Sequence, residues 1–93
     1  MEQKLIAAFK SNRDKALELG ARIRPAEDGE ILKLAHRTLS GHRQSDGFSV
    51  LAEKGRLDLS LEALAVDKRF TALFSDEEAN EALSRLLDAG YHF

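Results

Sequence analysis

The stretch "SDEEANEALSRLLDAG" (Ser75–Gly90) decides the fold class. Ser75 and Glu78 stand three residues apart at its start. In that pattern a hydroxyl and a carboxylate each accept the other residue's backbone N–H at a helix N-terminus. Asp76 and Glu77 add negative charge where the helix dipole is positive. Leu83, Leu86 and Leu87 recur at helical spacing and predict the buried face. Ala79 and Ala82 permit close approach of a neighbour. Gly90 suits the position just past the last turn, where a left-handed backbone needs no Cβ.

Working back from this helix, "KRFTALF" (Lys68–Phe74) reads as a short turn with Phe70, Leu73 and Phe74 inside. "LSLEALAV" (residues 59–66) predicts a short helix with Asp58 as its candidate cap. Residues 47–54 predict another, carrying Phe48, Val50 and Leu51 and ending at Gly55. Residues 26–40 predict a longer one, with Ile31, Leu34, Ala35 and Thr38 on one face and Pro25 suited to its start. Gly29 weakens its first turn. The first helix spans residues 2–19, with Leu5, Ile6, Phe9, Ala16, Leu17 and Leu19 apolar. "KSNRDK" interrupts that stripe and predicts a kink near Ser11. Gly20 follows as its terminator. No segment shows strand alternation bounded by hairpin turns. The expectation is an all-α fold: a compact single-domain bundle of five or six short helices spanning residues 1–93.

Composition agrees with a globular chain. Hydrophobic residues make up 43% and charged residues 32% of the 93 residues, a normal balance. Cysteine is absent, which excludes a disulfide scaffold, a thiolate metal site and a thiol nucleophile. No apolar run reaches the roughly 18 residues of a membrane span, and the N-terminal residues lack the basic-then-apolar order of a secretory signal. These features predict a soluble cytoplasmic protein that does not act at a membrane. The formal net charge is −2, unevenly spread. Residues 1–56 hold 11 Lys/Arg against 8 Asp/Glu, and residues 57–93 hold 3 against 8. Such polarity can steer a partner or favour head-to-tail self-association.

The segment "HRTLSGHR" (His36–Arg43) is the richest in candidate chemistry. Six helical residues turn through about 600°, so His36 and His42 would stand about 120° apart on a helix and could not face one ion. Helical zinc motifs use an i,i+4 pair, which is absent, so no metal site and no cofactor are expected. Lys33, Arg37 and Gln44 lie on one face, with His42 and Arg43 nearby, but no glycine-rich phosphate motif accompanies them. Ser40, Ser45 or Ser49 could be combined with His42 and Asp46 on paper. Proximity in sequence does not supply the geometry of a triad, so no catalytic residue is assigned. The carboxylates of "SDEE" are explained by capping.

"LEALAVDKRFTALFSDEEANEALSRLLDAGY" (Leu61–Tyr91) resembles the C-terminal helical domain of adenylosuccinate lyases. The shared features are a leucine-rich helix, an Asp-containing link, a capped S-x-E-E helix and "LLD" before an aromatic. The likeness covers about a third of the 93 residues. Ala79 stands where the family has leucine, and the proline that follows its "LLD" is missing. The resemblance implies a helical accessory domain and carries no lyase catalytic residue onto this chain.

Together these readings predict a small non-enzymatic protein that acts as a protein–protein interaction or regulatory module. Its expected contact residues are Arg37, His42, Arg43, Tyr91 and Phe93. The alternative is a nucleic-acid binder using Lys10, Arg13, Lys15, Arg22, Arg24 and Lys33 against phosphates. A helix-turn-helix is disfavoured, because the loop before residue 47 exceeds the usual turn of about three or four residues.

Overall fold

The computed structural model describes residues 2–24, 26–41 and 44–91. The fold is all-α. Among the described residues five α-helices follow in order: α1 (Glu2–Glu18), α2 (Ile31–Ser40), α3 (Phe48–Glu53), α4 (Leu61–Ala65) and α5 (Asp76–Asp88). Three 3₁₀ turns, Asp28–Glu30, Leu57–Leu59 and Lys68–Leu73, join them. No strand occurs among the described residues. The Cα radius of gyration is 11.9 Å, against about 12 Å expected for a compact chain of this length.

Two adjoining apolar clusters form the interior. In the first, Leu5 and Phe9 of α1 meet Ile31, Ala35 and Leu39 of α2, Leu61 and Leu64 of α4, Phe70, Phe74 and Ala82. In the second, Ala16 and Ala21 meet Phe48 and Leu51 of α3, Leu57, Leu59 and Leu86. Ile23 and Val66 pack against both clusters and bridge them. α4 is the central element: it lies along α5 and also touches α1 and α2.

α1 runs unbroken through "KSNRDK", without the expected break near Ser11. Leu5, Phe9 and Ala16 are buried on one stripe, and the polar residues between them sit mostly outside it. A helix keeps its backbone bonds wherever its polar side chains can reach water. α2 starts at Ile31, five residues later than expected, because Glu27 is extended (φ −70°, ψ 151°) and Asp28–Glu30 form a 3₁₀ turn. Asp28, in that turn, pairs with Lys10 of α1 at 2.6 Å. The expectation about Pro25 falls outside the described residues.

Ser60, not Asp58, caps α4. Its hydroxyl accepts the Ala63 N–H at 3.2 Å and donates to the Leu57 carbonyl at 2.6 Å. Burial of both Leu57 and Leu59 forces a 3₁₀ turn that swings Asp58 outward, where it pairs with Arg56 at 3.1 Å. "KRFTALF" is itself mostly 3₁₀, with Phe70 and Phe74 buried as expected. The capping box at Ser75 and Glu78 is complete. On α5, Leu86 is buried as expected and Ala82 and Arg85 join it, while Leu83 is only half-buried and Leu87 is 55% exposed. Leu17 of α1 is likewise exposed.

Gly47 matters most among the loop residues. Its φ is +78°, and a Cβ there would lie 3.0 Å from Ala21 Cβ and 3.2 Å from Ile23 Cγ1. The absence of a side chain lets the loop before α3 close on residues 21–23.

Candidate functional site

That closure shapes a cleft of about 860 Å³ between α1, residues 23, 24, 26 and 27, α2 and residues 44–46. Such a volume is typical of ligand clefts. Phe9, Ile23, Leu34, Leu59 and Leu61 provide apolar lining. Arg13, Arg24 and Arg37 contribute cations, and Glu27, Glu30 and Asp46 carboxylates. α2 places its part of the lining by simple periodicity. Arg37 and Thr38 stand three and four residues after Leu34 and so share its face, with Glu30 and Gly41 flanking the helix at its two ends. On α1, Phe9 and Arg13 stand four residues apart, with the guanidinium 6.0 Å from the Phe9 ring centre.

Some of these charges are already satisfied. Asp46 accepts the Arg24 backbone N–H at 3.2 Å and lies 3.5 Å from its side chain. Arg13 and Arg37 form no ion pair with any described residue, and neither do Glu27 and Glu30. The cleft thus presents two cations and two anions that have not neutralised one another.

The loop wall of the cleft is held from inside. Glu62 of α4 is fully buried and accepts the Ser45 N–H at 3.0 Å and the Ser45 hydroxyl. Arg85 of α5, 7% exposed, donates to Glu62 at 3.4 Å, to the Gly41 carbonyl at 3.0 Å and to Glu81 at 3.2 Å. One buried ion pair therefore fixes the chain at Gly41 and again at Ser45, two residues that both line the cleft. The pairing offsets the cost of taking these charges out of water. No buried side-chain nitrogen or oxygen lacks a partner among the described residues.

A second polar link lies on another side of α2. His36 Nδ1 is 2.5 Å from Glu78 Oε2, and its ring stands tilted against Phe74, 5.5 Å between centres. Burial pushes the Glu78 carboxyl up. The Ser75 N–H, the His36 ring and the Ser75 hydroxyl outweigh burial and hold the carboxyl below its ordinary range. Asp67 is also held low, chiefly by its side-chain bonds to Arg69.

The structure brings together residues that the sequence assigned to different functions. Arg37, expected to contact a protein, shares the cleft with Arg13 and Arg24, expected to contact nucleic acid. The other basic residues do not join them. Lys10 is paired with Asp28. Lys15 is two residues from Arg13 and thus about 160° around α1 from it. Lys33 and Arg22 are exposed outside the cleft. Tyr91 is half-buried, packs against the second apolar cluster and donates its N–H to the Leu86 carbonyl at 2.9 Å. His42, Arg43, His92 and Phe93 lie outside the described residues. Of the residues combined on paper as a triad, Ser45 donates its hydroxyl to Glu62 and Asp46 Oδ2 accepts from Arg24, while His42 is among the residues not described. Among the described residues no group of three or more His, Asp or Glu side chains converges as a metal site would require. No described helix is long and apolar enough to cross a membrane.

Sequence reasoning missed Glu62 and Arg85, and weighed Ser45 only as a nucleophile, not as a partner of a buried carboxylate. The available signal was a glutamate set among apolar residues in "LSLEALAV", with an arginine at a core spacing from Ala82. No family model, no curated protein and no solved structure matches the chain.

Proposed function

We propose that this chain is a non-enzymatic, cytoplasmic interaction module whose ligand is a segment of another protein seated in the cleft between α1 and α2. The observation that carries this reading is the combination of an apolar lining, charges of both signs that pair with no described residue, and a loop wall pinned by the buried Glu62–Arg85 pair. A surface fixed before binding loses less conformational entropy when occupied.

The test is affinity capture from the source cell with three forms of the protein: the native chain, Arg13→Glu with Arg37→Glu, and Leu87→Ser as a control away from the cleft. A partner held by the native chain and the control, and released by the cleft variant, is the expected result. A partner held equally by all three overturns the proposal. Nucleic-acid binding through the basic residues is the competing outcome. It would appear as binding to a random DNA duplex that falls steeply with salt.

A further inference from the structure

Helix α5 turns an arginine into the interior and a leucine out of it. Arg85 is 7% exposed, while Leu87, two residues on, is 55% exposed. At about 100° per residue, the two stand about 160° apart around the helix axis. Leu83 lies about 160° from Arg85 in the other sense, so Leu83 and Leu87 make up the face opposite the arginine. Leu83 is only half-buried. Leu86 lies between the two faces, about 100° from Arg85, and is fully buried. Apolar burial alone would turn α5 by about a quarter turn, centring Leu83, Leu86 and Leu87 on the core and carrying Arg85 into water.

What holds Arg85 inside is Glu62, itself fully buried on α4, the helix that lies along α5. We propose that the Glu62–Arg85 pair sets the rotational register of α5 against a second register in which Leu83, Leu86 and Leu87 face the core. The role of the pair is selection rather than net strength. A buried ion pair gains little over apolar packing, but it penalises any arrangement that leaves one of its charges buried alone. In the second register Glu62 would meet leucine in place of a guanidinium. The same turn would carry Arg85 away from the Gly41 carbonyl, which it holds at 3.0 Å. Glu78 lies seven positions before Arg85 and about 20° from it around the axis, so its contact with His36 would be lost as well. The register of α5 and the position of the cleft wall are therefore set together, whatever the cleft holds.

Leucine methyl NMR with a soluble gadolinium chelate tests this, because the probe broadens only the methyls it can reach. In the native chain the Leu87 methyls should broaden strongly and the Leu86 methyls should be spared. Glu62→Leu with Arg85→Gln leaves no charge to bury and puts a leucine on α4 where the glutamate stood. In that variant α5 should turn, and broadening of the Leu87 methyls should fall to the level of Leu86. Leu87 methyls that stay as broadened as in the native chain overturn the proposal, since α5 then keeps its register without the pair. Loss of the fold in the variant also overturns it. The pair would then be needed to fold at all, with no second register for it to exclude.

Discussion

Two ion pairs connect the second part of the chain to the first, one by its further bonds to Gly41 and Ser45 and the other directly, and they differ in kind. Glu62 and Arg85 meet in the interior, with side chains 0% and 8% exposed. His36 and Glu78 meet at the edge, with side chains 41% and 14% exposed. The interior pair reaches the loop at Gly41 and Ser45 and so shapes the cleft. The edge pair joins α2 to the first turn of α5, where the Ser75 cap already organises the backbone. The lesson is that solvent exposure, rather than charge, separates a contact the fold depends on from one it tolerates losing.

The largest expected effect follows from breaking the interior pair on one side. Glu62→Ala or Arg85→Ala leaves a buried charge without its partner and should cost about 3–5 kcal/mol in urea unfolding. A loss below about 1 kcal/mol would erase the contrast with the edge. Ser75→Ala comes next, because it removes one capping acceptor and should cost about 1 kcal/mol. His36→Ala should cost no more than about 1 kcal/mol, since the ring is well exposed and solvent screens the pair.

Acid sharpens the same contrast. The Glu78 carboxyl is held below its ordinary value near 4.5, so its ionised form favours the folded state. That contribution is complete above the unfolded value and is lost as pH falls through the folded one. Glu78→Gln should therefore show a shallower loss of stability than the native chain between about pH 5 and about pH 3. Parallel curves would show that the edge pair contributes nothing to acid sensitivity. Glu62→Leu combined with Arg85→Met should cost less than either alanine variant, because no charge is left buried, although the Ser45 N–H and the Gly41 carbonyl lose their partners. The Gly41–Ser45 wall should nevertheless loosen in that variant.

What could be read in the sequence followed the range of the interactions. The α5 cap is a contact over three residues and was legible in "SDEE". The glycine terminators were legible for the same reason, and Gly20, Gly55 and Gly90 all have positive φ. The all-α class followed from apolar spacing. The Ser60 cap was hidden because Asp58 offered an equally good local pattern, and only burial of Leu57 and Leu59 decides between them. In α5 the burial of Leu86 was legible and the inward turn of Arg85 was not, because the leucine spacing at 83, 86 and 87 centres on a face that leaves Arg85 outside it. An arginine is read as solvent-facing until a buried glutamate is known to await it. That glutamate is 23 residues away in sequence, and the Gly41 carbonyl is 44. The cleft depended on these long-range contacts and on Gly47, so it could not be read, although three of its arginines had been singled out.

The most direct measurement is hydrogen exchange at the Ser45 amide under native conditions. An N–H donated to a buried carboxylate should exchange at least ~100-fold more slowly than an unprotected loop amide. The rate should rise toward the unprotected value in Glu62→Leu with Arg85→Met while the helices stay protected. Free exchange at Ser45 in the native chain, at the pace of any solvated loop, would mean that the wall of the cleft is not held from within.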